Sequence, residues 1–121
     1  MTESDFWMFL ELSRAGKCLP MVSGYIDSEN PVIQKVEEYI GGHSVLFEGH
    51  DKLSINIVQD MGRLILKQNV SLRAKEAILM ILAHHPTKQA LNVLKRYNET
   101  SDKELRYIAR FALQECEWWN E

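Results

Sequence analysis

The sequence predicts an all-α protein built as a short stack of antiparallel helix pairs behind an N-terminal capping helix. Three observations carry this. Apolar residues recur at helical spacing in segment after segment, as in Leu105, Ile108, Ala109, Ala112, Leu113 and Cys116. No stretch shows the strict alternation of a half-buried strand. The last four helical segments also repeat themselves at an offset of 33 residues, within the range typical of stacked helical units.

The 121 residues suit one domain with a real core, and 45% hydrophobic against 26% charged residues excludes a disordered composition. Within that single domain, residues 1–50 are expected to form acidic helices and a loop, and residues 51–121 two helix pairs. The first helix covers residues 3–15, with Thr2 or Ser4 as cap and Gly16 as stop. Phe6, Trp7, Met8, Phe9, Leu10 and Leu12 make it apolar nearly all round, which predicts deep packing. Pro20, Gly24 and an Asp-Ser-Glu-Asn run make residues 17–30 at most a helical turn and a loop. Asn30 then caps a helix opened by Pro31 and closed by Gly41-Gly42.

From Asp51 to about Gln68 a helix buries Ile57, Val58, Met61, Leu64 and Ile65. Ser71 starts another to about His84, whose centre, residues 77–83, is apolar throughout and must be buried. Pro86 opens a third, with Ala90, Leu91, Leu94 and Tyr97 inside. Ser101 and Glu104 form a capping box for the last, since each side chain can satisfy an orphan N–H of the first turn. Its second apolar stripe, Tyr107, Phe111 and Trp118, predicts packing against more than one neighbour. The four core segments are expected at residues 53–67, 71–84, 87–97 and 102–117.

The repeat is visible where Asn69-Val70-Ser71-Leu72-Arg73 aligns with Asp102-Lys103-Glu104-Leu105-Arg106, and where Val58 and Met61 fall on Leu91 and Leu94. Residues 88–114 resemble a HEAT-like repeat, an Ala-Leu-x-x-Leu helix, a turn, then Asp-x-x-Leu-Arg-x-x-Ala-x-x-Ala-Leu. The resemblance is partial over residues 53–82, where Asn69 replaces the Asp and Glu76 and Leu79 replace the two alanines, and stops at Asp51. It implies a short α-solenoid in which Asp102 and Arg106, with Asn69 and Arg73 before them, bond between neighbouring units. The aromatic first helix and the Cys-Glu-Trp-Trp tail would cap its ends.

Chemistry-bearing residues are sparse. Cys18 and Cys116 form no CxxC pair and read as small buried hydrophobes. His43, Glu48, His50 and Asp51 gather between glycines, but their spacing matches no metal or catalytic motif, so they are read as a connecting loop. His84 and His85 end a helix, where imidazolium favours the negative dipole. Neither catalysis, a metal nor a cofactor is expected. The N-terminus lacks a signal peptide's basic and apolar regions, and no run approaches ~18 apolar residues, so a cytoplasmic location is expected.

Charge is divided unevenly. Residues 1–50 carry three basic against eight acidic side chains, a balance of −5, whereas residues 51–121 carry eleven against nine, a balance of +2. Such an acidic half repels nucleic acid and suits a basic protein partner. Candidate contacts are Asp27, Glu29, Glu37, Glu38 and Glu48, with Trp119 as an aromatic anchor beside Glu115, Glu117 and Glu121. Arg73, Arg106 and Arg110 would instead suit an acidic partner, unless they are used within the stack. In size, helical character and its opening Met1-Thr2-Glu3-Ser4-Asp5-Phe6-Trp7, the chain resembles small bacterial immunity proteins of contact-dependent inhibition systems. That resemblance implies an inhibitor whose carboxylates block the basic groove of a nuclease-type toxin. The alternative expectation is a non-catalytic HEAT-like scaffold.

Overall fold

A computed structural model describes residues 1–13, 46 and 49–121. Five α-helices run in order: α1 (Glu3–Ser13), α2 (Ile55–Ile65), α3 (Leu72–Ala83), α4 (Lys88–Glu99) and α5 (Arg106–Trp119). Short 3₁₀ turns at His50–Lys52 and Lys103–Leu105 lead into α2 and α5, and there is no strand among the described residues. The expected helix from Pro31, its Asn30 cap, the 17–30 loop and Cys18 lie outside the described residues.

Local chemistry sets most helix starts. Ser54, Ser71 and Thr87 each accept a hydrogen bond from the backbone N–H three residues on, at Ile57, Ala74 and Ala90. Thr87, rather than Pro86, is therefore the residue that opens α4. At α1 a reciprocal pair forms: Asp5 N donates to Thr2 Oγ1 at 3.1 Å, and Thr2 N donates to Asp5 Oδ2 at 2.9 Å. The expected capping box of Ser101 and Glu104 does not form. The 3₁₀ turn has no side-chain cap and neither does α5, so the chain tightens into the helix through i→i+3 geometry instead.

The two helix pairs are α2–α3 and α4–α5. Beyond contacts within each pair, α2 packs on α4, α3 packs on α5, and α3 also meets α4 and α1. With four helices around it, α3 buries Ala74, Lys75 and every residue from 77 to 83. This is why its sequence carries no polar face over its second half. Gly62 brings α2 close to α4, since a Cβ built there would lie 2.7 Å from Val93 Cγ2. Asn98 Nδ2 donates to the carbonyls of Leu94 and Ala109 and ties α4 to α5.

One packing expectation is corrected and another is refined. Of α1 only Phe6 and Leu10 are fully buried, while Met8 is 61% and Leu12 70% exposed. Among the described helices it meets α3. α5 does pack against more than one neighbour, α3 and α4, though the stripe Tyr107, Phe111 and Trp118 is not what is fully buried there. Tyr107 and Trp118 are exposed and Phe111 is half-buried, because α5 reaches both α3 and α4 through Ile108, Ala109, Ala112 and Cys116.

Candidate partner-binding surface

The most distinctive surface lies at the C-terminal end of α5. Trp118 and Trp119 are 63% and 47% exposed, with ring centroids 4.7 Å apart at 54°. This is the tilted spacing that aromatic quadrupoles favour. Trp118 was expected to cover the open end of the core; it is instead the more exposed of the two. Trp119 leans towards the His84 ring at 6.5 Å, and His84 stands edge-on to His50 at 5.9 Å. Glu117 and Glu121 are exposed beside the pair.

His84 fastens this end. Its Nδ1 lies 2.9 Å from the Met80 carbonyl, closing α3, and its Nε2 faces Glu115 Oε1 on α5. Both ring nitrogens therefore face acceptors, and imidazolium is the form that donates to both. His85 serves a different junction. Its Nε2–H donates to the Leu53 carbonyl at 3.2 Å and its Nδ1 lies 2.9 Å from the Thr87 hydroxyl, which anchors the approach to α2. Cys116 is fully buried with its thiol against the His85 carbonyl, and burial, with Glu117 nearby, pushes the thiol up to about 11.

A second polar cluster joins the two helix pairs. Lys75 Nζ donates to Asp102 Oδ2 at 2.8 Å, and the Tyr97 hydroxyl donates to the same oxygen at 2.6 Å. Burial works against the Asp102 charge, but these two donors and the lysine's charge outweigh it and hold the carboxyl below its ordinary value. Burial and the neighbouring carboxylate raise Tyr97 well above the usual phenol range. Asp102 thus bonds to Lys75 on α3, not to an arginine. Arg73 instead lies over the Trp7 ring at 5.9 Å, whereas Arg106 and Arg110 are exposed.

The opening motif is occupied by architecture. Glu3 accepts from Ser71 N and Ser71 Oγ, both at 2.7 Å, and from Trp7 Nε1 at 3.1 Å. Those hydrogen bonds hold its carboxyl below the ordinary 4.5. Phe6 enters the core beside Trp7, with ring centroids 5.3 Å apart. Nothing in the sequence signalled that Glu3 would reach the cap of α3, a partner 68 residues away.

Of the expected contact residues, Asp27, Glu29, Glu37, Glu38 and Glu48 lie outside the described residues, as does His43; Trp119 is at the surface. No group of three metal-ligating side chains comes together among the described residues. Among them, too, no helix is long and apolar enough to cross a membrane. No family model, curated protein or solved structure matches the chain.

Proposed function

We propose that the chain is a small inhibitor of the immunity type, which binds and neutralises one basic protein partner, a nuclease-type toxin domain, in the bacterial cytoplasm. The observation that carries this reading is the exposed pair Trp118 and Trp119 beside Glu117 and Glu121. Large rigid aromatics supply binding area at little entropic cost, and adjacent carboxylates select a basic surface. The acidic residues Asp27, Glu29, Glu37, Glu38 and Glu48 give the first fifty residues their −5 balance and supply attraction at longer range. No catalytic step, metal, cofactor, membrane or nucleic acid enters this role.

The test is protection. Cells producing this chain should survive the toxin of the neighbouring reading frame. Glu37→Lys with Glu38→Lys should slow association and flatten its salt dependence, whereas Trp119→Ala should speed dissociation. Equal protection by all three proteins would refute the assignment.

A non-catalytic HEAT-like scaffold is the second reading. It is supported by the pairing of α2 with α4 and α3 with α5, and by hydroxyl caps 33 residues apart at Ser54 and Thr87. Recovery of a multi-subunit assembly from the native host, with no protection phenotype, would favour it.

A further inference from the structure

The turns that follow α2 and α4 enclose a cleft of about 230 Å³. A water molecule's share of liquid volume is ~30 Å³, so the space exceeds a single bridging solvent. Leu66 is the exposed apolar residue of its lining, with the buried Ile65 and Tyr97 behind it; Gln68, Thr100 and Ser101 bring polar groups to it. Lys75 and Asp102 also line it.

Lys75 is the unusual member. The residue is only 3% exposed. An ammonium has three donors, and among the described residues only Asp102 Oδ2 accepts from Nζ. Two N–H groups of a buried cation therefore have no protein acceptor among the described residues. A buried donor without a partner is costly, so an occupant that supplies acceptors is stabilising there. Asp102 differs from Lys75 in exposure: its side chain is 31% exposed against 4%, which sets the ammonium deep and the carboxylate towards solvent. The carboxylate accepts from Lys75 and Tyr97 and keeps further lone pairs.

We propose that this cleft binds a small zwitterion of the α-amino-acid type. The Lys75–Asp102 pair is neutral as a unit, which disfavours a simple ion of either sign. A lone anion that reached Lys75 would meet Asp102 beside it, and a lone cation at Asp102 would meet Lys75. A molecule bearing ammonium and carboxylate on one carbon presents both charges side by side, as the pair's 2.8 Å contact does. Its carboxylate takes the two open donors of Lys75, its ammonium takes the remaining lone pairs of Asp102, and its side chain lies along Leu66 towards solvent. Charge-assisted hydrogen bonds of this kind are the stronger ones, and each is lost when the ligand charge that makes it is removed. The site is independent of the aromatic end of α5, so the inference stands or falls apart from the inhibitor role.

Thermal-shift and calorimetric titrations of the full chain with the twenty free amino acids test it. Leucine serves as the reference probe, against N-acetylleucine, leucinamide and acetate. At least one free amino acid should raise the melting temperature at about 10 mM. Its N-acetyl and amide forms should bind at least about tenfold more weakly. Lys75→Met should abolish that binding. Ser101→Trp, which fills the cleft and leaves the ion pair in place, should do the same if the first variant fails to fold. No shift with any amino acid would mean a water-filled cleft and would overturn the proposal. Equal binding of acetate or N-acetylleucine would also overturn it, in favour of a plain anion site. So would undiminished affinity in the Ser101→Trp protein.

Discussion

Two aromatic pairs sit at opposite ends of the chain, and their fates differ. Phe6 and Trp7 are absorbed: one ring is buried, the other is clasped by Glu3 and covered by Arg73. Trp118 and Trp119 follow an equally apolar stripe on α5, yet both rings stand in solvent. Composition alone does not separate them. The difference is that α1 has a polar clasp, Glu3 on Ser71, which fixes its rings against α3. The corresponding clasp at the other end, His84 on Glu115, holds the helix one turn before the tryptophans and leaves them outside.

The sharpest break comes from the two sides of α5. Ala112 is fully buried between helices, so Ala112→Asp strands a charge there and should destabilise by on the order of 4 kcal/mol, read as loss of the cooperative thermal transition. Phe6→Ala should cost about 3–5 kcal/mol in urea unfolding, as expected for a truncated core aromatic.

Glu3→Gln tests the clasp itself. It keeps the shape but removes the charge that Ser71 and Trp7 bond to, and should loosen α1 without unfolding the body. In a protein whose only tryptophan is Trp7, with Trp118 and Trp119 replaced by Phe, the emission should shift to the red. Acid should do the same. The folded carboxyl has the lower pKa, so its contribution is complete above the ordinary 4.5 and is lost as pH falls through the depressed folded value. The Glu3→Gln protein should show no such emission change in that range.

The smallest effect belongs to the exposed pair. Trp118→Ala and Trp119→Ala should change stability by no more than about 0.5 kcal/mol in the same urea assay. A large loss in either would show that these rings act as core.

The sequence made the helices legible because their signals are local. Ser71 caps the helix it precedes, and residues 77–83 are buried as their unbroken apolar run requires, whereas the expected starts at Asp51 and Pro86 give way to the equally local caps Ser54 and Thr87. What it hid depends on partners distant along the chain. Ser101 and Glu104 fit a capping pattern, but Asp102 between them is drawn to Lys75, 27 residues back, and the backbone enters α5 through a 3₁₀ turn. The repeat suggested an arginine for Asp102; packing selected the one lysine buried on α3. That α5 has more than one neighbour was legible, but periodicity gives a face and not its cover: Tyr107 and Trp118 stay exposed while Ile108, Ala109, Ala112 and Cys116 are buried. Of the candidate binding residues, the one within the described part, Trp119, lies at the surface, and so does Trp118, which sits on the stripe.

Cys116 gives the molecule a built-in clock. Its thiol is fully enclosed between α5 and the α3–α4 junction, and its raised pKa leaves little thiolate at neutral pH. A soluble disulfide reagent can reach it only during excursions in which α5 lifts away. In a Cys18→Ser background, the labelling rate of Cys116 therefore counts those openings directly. A partner that grips Trp118 and Trp119 would slow the count, even though it never touches the sulfur.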